Sequence, residues 1–208
     1  MSQPNDNRQY KNEQNPSRKI DLNNLFIEVY QAYPAQTIGR EDIELTNSIV
    51  FPPSALEKLS KLNNFWDNKN PILFRILNID LNIQTYCGVI DFTAPEGQCY
   101  IPSNMFERLC LEEGQMINLL KLNSLPRGSF IKFQPYQTEF IKNPNHIEIL
   151  ENNLRNYFCV TEGDTISVKY ENKIYKFDVI QCKPAKAIQI IDSDLIIDLA
   201  PPKDNKDH

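Results

Sequence analysis

The sequence contains few side chains that could carry out a reaction. Of its two histidines, His208 is terminal and His146 follows "NPN" at the head of a helical pattern, so a histidine base has one serious position. A thiol nucleophile would need that base within hydrogen-bond reach, which makes Cys159 and Cys182 the residues to weigh. A solvent-facing place in the first helical turn suits His146 better. The five cysteines, Cys87, Cys99, Cys110, Cys159 and Cys182, are scattered and form no C-x-x-C. That pattern points to buried or half-buried reduced thiols rather than a disulfide framework or a zinc knuckle. Paired-carboxylate proteolysis needs Asp-Thr/Ser-Gly. The nearest strings, "DFT" at 91–93 and "GDT" at 163–165, have the wrong order, so Asp91 and Asp164 read as turn or strand-edge carboxylates. With six glycines and neither a P-loop nor a G-x-G-x-x-G, no phosphate cradle is expected. The expectation is no catalytic residue, no cofactor and no metal ligand.

Whatever the chain does must then be done by a surface, and the elements that shape it follow from patterning. An apolar content of 41% suits a globular protein, and a net charge of −5 lacks the basic footprint of a nucleic-acid binder. No run approaches the ~18 apolar residues of a membrane span, and "LFIEVY" at 25–30 is too short for a signal sequence. A soluble cytoplasmic protein is expected. Residues 1–20 are polar and aperiodic and read as a disordered leader, and 201–208 as a frayed tail.

Two corners share one grammar. "VFPPSALEKL" at 50–59 and "YIPSNMFERL" at 100–109 each run a strand into a proline and then a short helix. Ser54 with Glu57, and Asn104 with Glu107, have capping-box spacing. Leu56, Leu59 and Leu62, like Phe106 and Leu109, would share a helix face, and Gly114 suits a left-handed C′ position. Strands follow at "ILFRIL" (72–77) and "MINLLKL" (116–122). "TYCGVIDF" at 85–92 places Tyr86, Ile90 and Phe92 on one face, with Gly88 where another backbone could approach. A repeat of about 50 residues cannot bury its own apolar face, so two copies should close on each other as a pseudo-twofold barrel. From Leu125 the style changes. An extended stretch, "SFIKFQPYQTEFIKNPN", leads to a helix over 146–158, a hairpin turning at "EN" 171–172 and one or two closing strands. The division expected is a barrel over 21–124 and a smaller α/β unit over 125–200.

From Leu25 to Pro202 the sequence resembles the N-terminal region of the ubiquitin fusion degradation protein 1 family. The resemblance is carried by "PPSALEKLSKLN", "YCGVIDFTAPEGQCYIP", "LEEG", "KFQP", "LENNLRNYFCVTEGDTISVKYENKIYKFDVIQCKP" and "IIDSDLIIDLAPP", in the family's order. It implies a mixed α/β, β-rich fold: a double-psi β-barrel followed by an α/β roll. It also implies a non-enzymatic adaptor that binds ubiquitin and polyubiquitin, mainly through the second unit. Such an adaptor brings ubiquitylated substrates to the valosin-containing-protein AAA ATPase for proteasomal and ER-associated degradation, alongside the nuclear protein localisation 4 homologue. The implied locations are the cytoplasm, the nucleus and the cytosolic face of the ER. In the family the segments that bind the partner and the unfoldase follow "APP", and this sequence runs only a few residues past it, so unfoldase recruitment is the weakest part of that expectation. The family's Gly-Gly-Lys before a barrel strand is replaced by "LTNSI", which weakens only the entry turn, a turn Asn47 could still form because Asn tolerates positive φ. The alternative is an assembly subunit of the unfoldase cofactor complex, or of a related organelle import machinery, that does not itself read ubiquitin.

Ubiquitin recognition needs small apolar anchors with a polar rim. Tyr136, Phe140 and Ile141 in "QPYQTEFIKN" are the candidate anchors, the competing reading being that Phe140 and Ile141 staple this stretch onto the second unit. Asn152 and Arg155 on the helix, and Thr161 and Glu162 in "VTEGD", are the candidate rim. Trp66, the only tryptophan, is expected in an exposed loop.

Overall fold

A computed structural model describes residues 25–62 and 71–205. The leader expected over 1–20 and the loop carrying Trp66 lie outside those residues.

The first unit comprises β1 (Ile27–Pro34), β2 (Ser48–Val50), α1 (Pro53–Ser60), β3 (Leu73–Asn78), β4 (Ile83–Asp91), β5 (Gln98–Ile101), α2 (Ser103–Arg108) and β6 (Met116–Lys121). Its six strands close into a barrel in the order β1-β5-β2-β4-β3-β6. β1 pairs with β6, completing the ring, while β1·β5 and β2·β4 are the parallel pairs. Moving each strand three places along the chain, β1 to β4, β2 to β5 and β3 to β6, maps this set of pairings onto itself. The two strand–proline–helix–strand corners are therefore equivalent parts of a pseudo-twofold barrel.

Strand alternation sends Tyr30 and Ala32 inward from β1 while Ile27 and Val29 face out. Both repeats fill the interior: Phe26, Ile49, Phe51, Phe74 and Ile76 meet Cys87, Cys99, Ile101, Leu109, Ile117 and Leu119. Phe51 and Phe74 pack edge to face at 5.0 Å between centroids. On β4 the shared face expected for Tyr86, Ile90 and Phe92 does not persist. The β2·β4 register slips between Ile49 and Val50, leaving Ile90 bulged and 50% exposed, and Phe92 turns back onto the core.

The corners differ from the expected capping boxes. Pro52 and Pro102 occupy the N-cap positions, where they offer no side-chain acceptor. Carboxylates from the opposite repeat serve instead. Glu96, before β5, accepts from the Ser54 N–H at 3.2 Å and from the Ser54 hydroxyl, at the head of α1. Glu44, before β2, accepts from the Ser103 N–H at 2.9 Å, at the head of α2. Each repeat thus satisfies one orphan N–H at the head of the other's helix. Glu57 pairs with Lys61 at 2.8 Å rather than folding back. Gly114 has φ +79°, but in the turn before β6; the left-handed residue following α2 is Cys110, at φ 50°.

The second unit holds β7 (Phe130–Pro135), α3 (Thr138–Ile141), α4 (His146–Leu154), β8 (Cys159–Thr161), β9 (Thr165–Tyr170), β10 (Lys173–Lys183), β11 (Ala187–Gln189) and β12 (Ile196–Leu199). It forms a four-stranded sheet, β12-β7-β10-β9, and a ribbon, β11-β8. Ile131, Phe133, Phe140, Leu150, Leu154, Ile166, Val168, Phe177 and Val179 make its core. The stretch expected to be extended after β7 contains the single turn α3. The helix expected to reach residue 158 stops at Leu154, because Tyr157 is drawn into the core by two hydrogen bonds to the Ser167 backbone. Residues 201–205 are not frayed. The Lys203 N–H donates to the Pro135 carbonyl at 3.0 Å, Lys203 lies over the Tyr136 ring, and Asp204 accepts from the Thr138 N–H at 2.8 Å.

Candidate recognition surface and the junction that orients it

The two units meet through a polar junction that fixes which surfaces remain outside. Asn47 does not use the positive φ that Asn tolerates. It is buried, and its amide bridges the units: Nδ2 donates to the Cys159 carbonyl at 2.7 Å and Oδ1 accepts from the Phe158 N–H at 2.9 Å. Gly88 is approached by the Phe158 ring rather than by backbone. A Cβ placed there would lie 2.2 Å from Cδ2 of that ring. Asp164 reaches between β4 and α2 of the barrel, accepting from the Thr85 hydroxyl at 2.5 Å and lying 3.4 Å from Arg108 Nε. Burial raises its carboxyl to about 6, although Thr85 and Arg108 both pull the other way. Nearby, Asn104 Nδ2 donates to Ser167 Oγ at 2.6 Å. The remaining cavity, about 20 Å³ between Asn47, Asn104, Arg108, Tyr157 and Asp164, has room for about one water. It cannot admit a substrate.

The residues weighed for chemistry are engaged elsewhere. His146 Nδ1 is 2.7 Å from the Asn143 carbonyl, and its ring meets the edge of Phe140. Burial raises the Cys159 thiol well above its usual range and that of Cys182 to about 12, so both stay protonated. Asp91 pairs with Arg40 at 2.9 Å while Asp164 pairs with Arg108, so the two carboxylates do not form a dyad. Among the described residues no three His, Cys, Asp or Glu side chains gather as a metal site, and no helix is long and apolar enough to cross a membrane.

The candidate ubiquitin-contacting residues fall into four places. Phe140 is 2% exposed, packed edge-on against Phe177 at 4.8 Å, and has no surface to present as an anchor. Ile141 is half-buried against the same core, at the end of α3. Tyr136 donates to Asp178 at 3.0 Å with Lys203 covering its ring, so it belongs to a local network on the sheet face. Asn152 and Arg155 are exposed at the end of α4. Thr161 is buried at 7%, and Glu162 accepts from the Cys182 N–H at 3.0 Å; both lie beside the junction.

Between α3 and the β9–β10 turn lies an open groove of about 400 Å³, with Phe140 and Tyr175 at its base and Lys142, Tyr170 and Lys173 around it. Glu139 and Lys173 pair across it at 2.6 Å. Tyr170 and Lys173 were legible only as hairpin residues; the spatial neighbourhood of α3 and the turn has no sequence signature.

Residues 26–126 match the family described as ubiquitin fusion degradation protein UFD1, N-terminal subdomain 1, and residues 127–202 match its N-terminal subdomain 2. The ubiquitin recognition factor in ER-associated degradation protein 1 of Homo sapiens is 38% identical over 183 residues, covering 86% of this chain and 58% of that protein. The ubiquitin fusion degradation protein 1 homolog of Dictyostelium discoideum is 39% identical over 184 residues (88% and 54%). The ubiquitin fusion degradation protein 1 of Saccharomyces cerevisiae is 33% identical over 190 residues (88% and 51%). The chain spans about half the length of the curated relatives it matches.

Proposed function

Since the chain belongs to the ubiquitin fusion degradation protein 1 family, we propose that it is a non-enzymatic module that reads ubiquitin and polyubiquitin in ubiquitin-dependent and ER-associated degradation. The observation that carries this reading is the match of both units to relatives named for ubiquitin recognition or ubiquitin fusion degradation. In this reading the barrel, over 21–124, is of the double-psi type, which the self-mapping strand pairings support. The unit over 125–200 is an α/β roll.

We place the ubiquitin contact on the second unit, along the groove beside α3. Ile141 and Tyr170 would supply apolar contact, Lys142 and Lys173 the rim, and Asn152 and Arg155 an extension over α4. Phe140 would act from beneath by holding Ile141 in place. Tyr136, Thr161 and Glu162 are left outside the contact. Handing substrates to the valosin-containing-protein ATPase, with the nuclear protein localisation 4 homologue as partner, is the role in which such a module would serve at the cytosolic face of the ER.

Titrating the isotope-labelled chain with mono-ubiquitin and with polyubiquitin of defined linkage tests the reading by NMR. Saturable shifts should centre on Ile141, Lys142, Tyr170 and Lys173 and weaken in Ile141→Ala and Tyr170→Ala. Absence of saturable shifts at sub-millimolar ubiquitin would remove ubiquitin reading. Retention of the partner or the ATPase by that same chain would then favour the assembly-subunit role.

A further inference from the structure

The second unit's sheet ends in an edge that is ready to accept another strand. β12 is the outermost strand and pairs only with β7, in parallel register from Ile196 opposite Phe130 to Leu199 opposite Phe133. The Ile196 N–H donates to the Ser129 carbonyl at 3.1 Å and the Ala200 N–H to the Phe133 carbonyl at 2.8 Å. In an extended strand, N–H and C=O of one residue point to the same side and alternate along the chain. The backbone groups of Ile197 and Leu199 therefore point away from β7, and among the described residues no strand lies there to meet them.

Side chains on both faces of this edge are only partly covered. Ile196 is 68% exposed and sits beside Phe130, on the face where Lys183 lies 5.1 Å above that ring. Leu195, Ile197 and Leu199 are partly buried against the core on the other face. Of the features that usually blunt an edge, β12 has shortness, at four residues, and the charge of Asp198, which Lys132 pairs; it contains no lysine and no proline, and Pro201 comes only after it ends.

We propose that β12 is a docking edge for an extended peptide segment of another protein, one with alternating apolar residues flanked by lysine or arginine. Only an extended backbone matches the outward N–H and C=O groups of Ile197 and Leu199. Charge selects the flanks. The stretch 190–202 contains Asp192, Asp194 and Asp198 and no basic residue. Lys132 pairs with Asp198 at 2.9 Å and Arg127 donates to the Asp192 carbonyl, while the exposed carboxylates of Asp192 and Asp194, just before β12, have no ion-pair partner among the described residues. A second copy would bring the same acidic stretch and is disfavoured by like charge. This proposal uses the edge opposite the β9–β10 groove and does not depend on ubiquitin binding.

The probe is a capped synthetic peptide with a central valine–threonine alternation and lysines at both ends, titrated into the isotope-labelled full chain. The amides of Ile197 and Leu199 should shift, and their hydrogen exchange should slow at least ~tenfold at saturation. A glutamate-flanked peptide, and the lysine peptide N-methylated at alternate amides, should produce neither change. Asp192→Lys with Asp194→Lys should weaken the lysine peptide at least ~tenfold; both positions are exposed and outside the core. Unmoved Ile197 and Leu199 amides would overturn the proposal, as would equal response to the glutamate peptide. Concentration-dependent shifts of the same amides without peptide would also overturn it, by identifying a second copy as the occupant.

Discussion

Replacing Asp164 with Asn should remove a pH dependence from the stability of this fold. In the native chain the carboxyl is raised from an ordinary 3.8 to about 6 by its burial at the junction. At about 1.4 kcal/mol per pH unit, that gap amounts to about 3 kcal/mol. The folded state holds the proton more tightly than the unfolded state. The stabilising contribution is therefore complete below pH 3.8 and is lost as pH rises through about 6. At neutral pH the ionised group costs the fold most of that amount, even with Thr85 and Arg108 beside it. Asn keeps an acceptor for the Thr85 hydroxyl and carries no charge, so it mimics the protonated form. Urea unfolding of both proteins at steps between pH 4 and 7 reads the effect directly. Carboxylates elsewhere titrate equally in both and cancel in the difference. Because the unfolded carboxyl is already more than half ionised at pH 4, the Asn variant should gain on the native chain by about 2 kcal/mol across that range. A difference that stays flat, or moves toward the native chain as pH rises, would refute the assignment of Asp164 as a buried carboxylate whose charge is poorly compensated.

Gly88→Ala should destabilise the protein by about 1–3 kcal/mol, because its new methyl enters the Phe158 ring. Adding Phe158→Ala should recover part of the loss in a double-mutant cycle read by thermal unfolding. Asn47→Ala should cost about 2–4 kcal/mol, since it leaves the Phe158 N–H and the Cys159 carbonyl without their bridge. Hydrogen exchange at Phe158 should then accelerate well before exchange in the barrel core does.

The sequence made the barrel legible because its repeat is written in local terms: proline before helix, apolar alternation before and after. It also made the β9–β10 hairpin legible, since the alternation of Ile166 and Val168 reverses about Glu171, which takes φ 53° at the turn. What it concealed depends on residues far apart in the chain. The true caps, Glu44 and Glu96, are 59 and 42 positions from the amides they serve, whereas Glu57 and Glu107 have the right spacing and do something else. Asn47 looked like a turn residue because Asn so often is one, yet its partners lie more than a hundred positions away. Phe140 is the ambiguous case: an aromatic in a polar stretch reads either as a staple onto the second unit or as an exposed anchor, and its packing against Tyr175 and Phe177 favours the staple. Among the candidate contacts only Phe140 and Thr161 are buried, while Lys142, Tyr170 and Lys173 had to be found in space.

The crossed carboxylates of the barrel bear on how such a protein can be cut and rebuilt. Severing the chain at the hairpin around Asp80 would part the repeats, and each fragment would then carry a helix whose terminating acid resides on the other piece. Neither fragment would be a self-sufficient module, but mixing them should regenerate both helix starts and the shared interior together. Mutual dependence of this kind couples the two halves, because losing either acid harms the helix of the neighbour rather than the half that lost it.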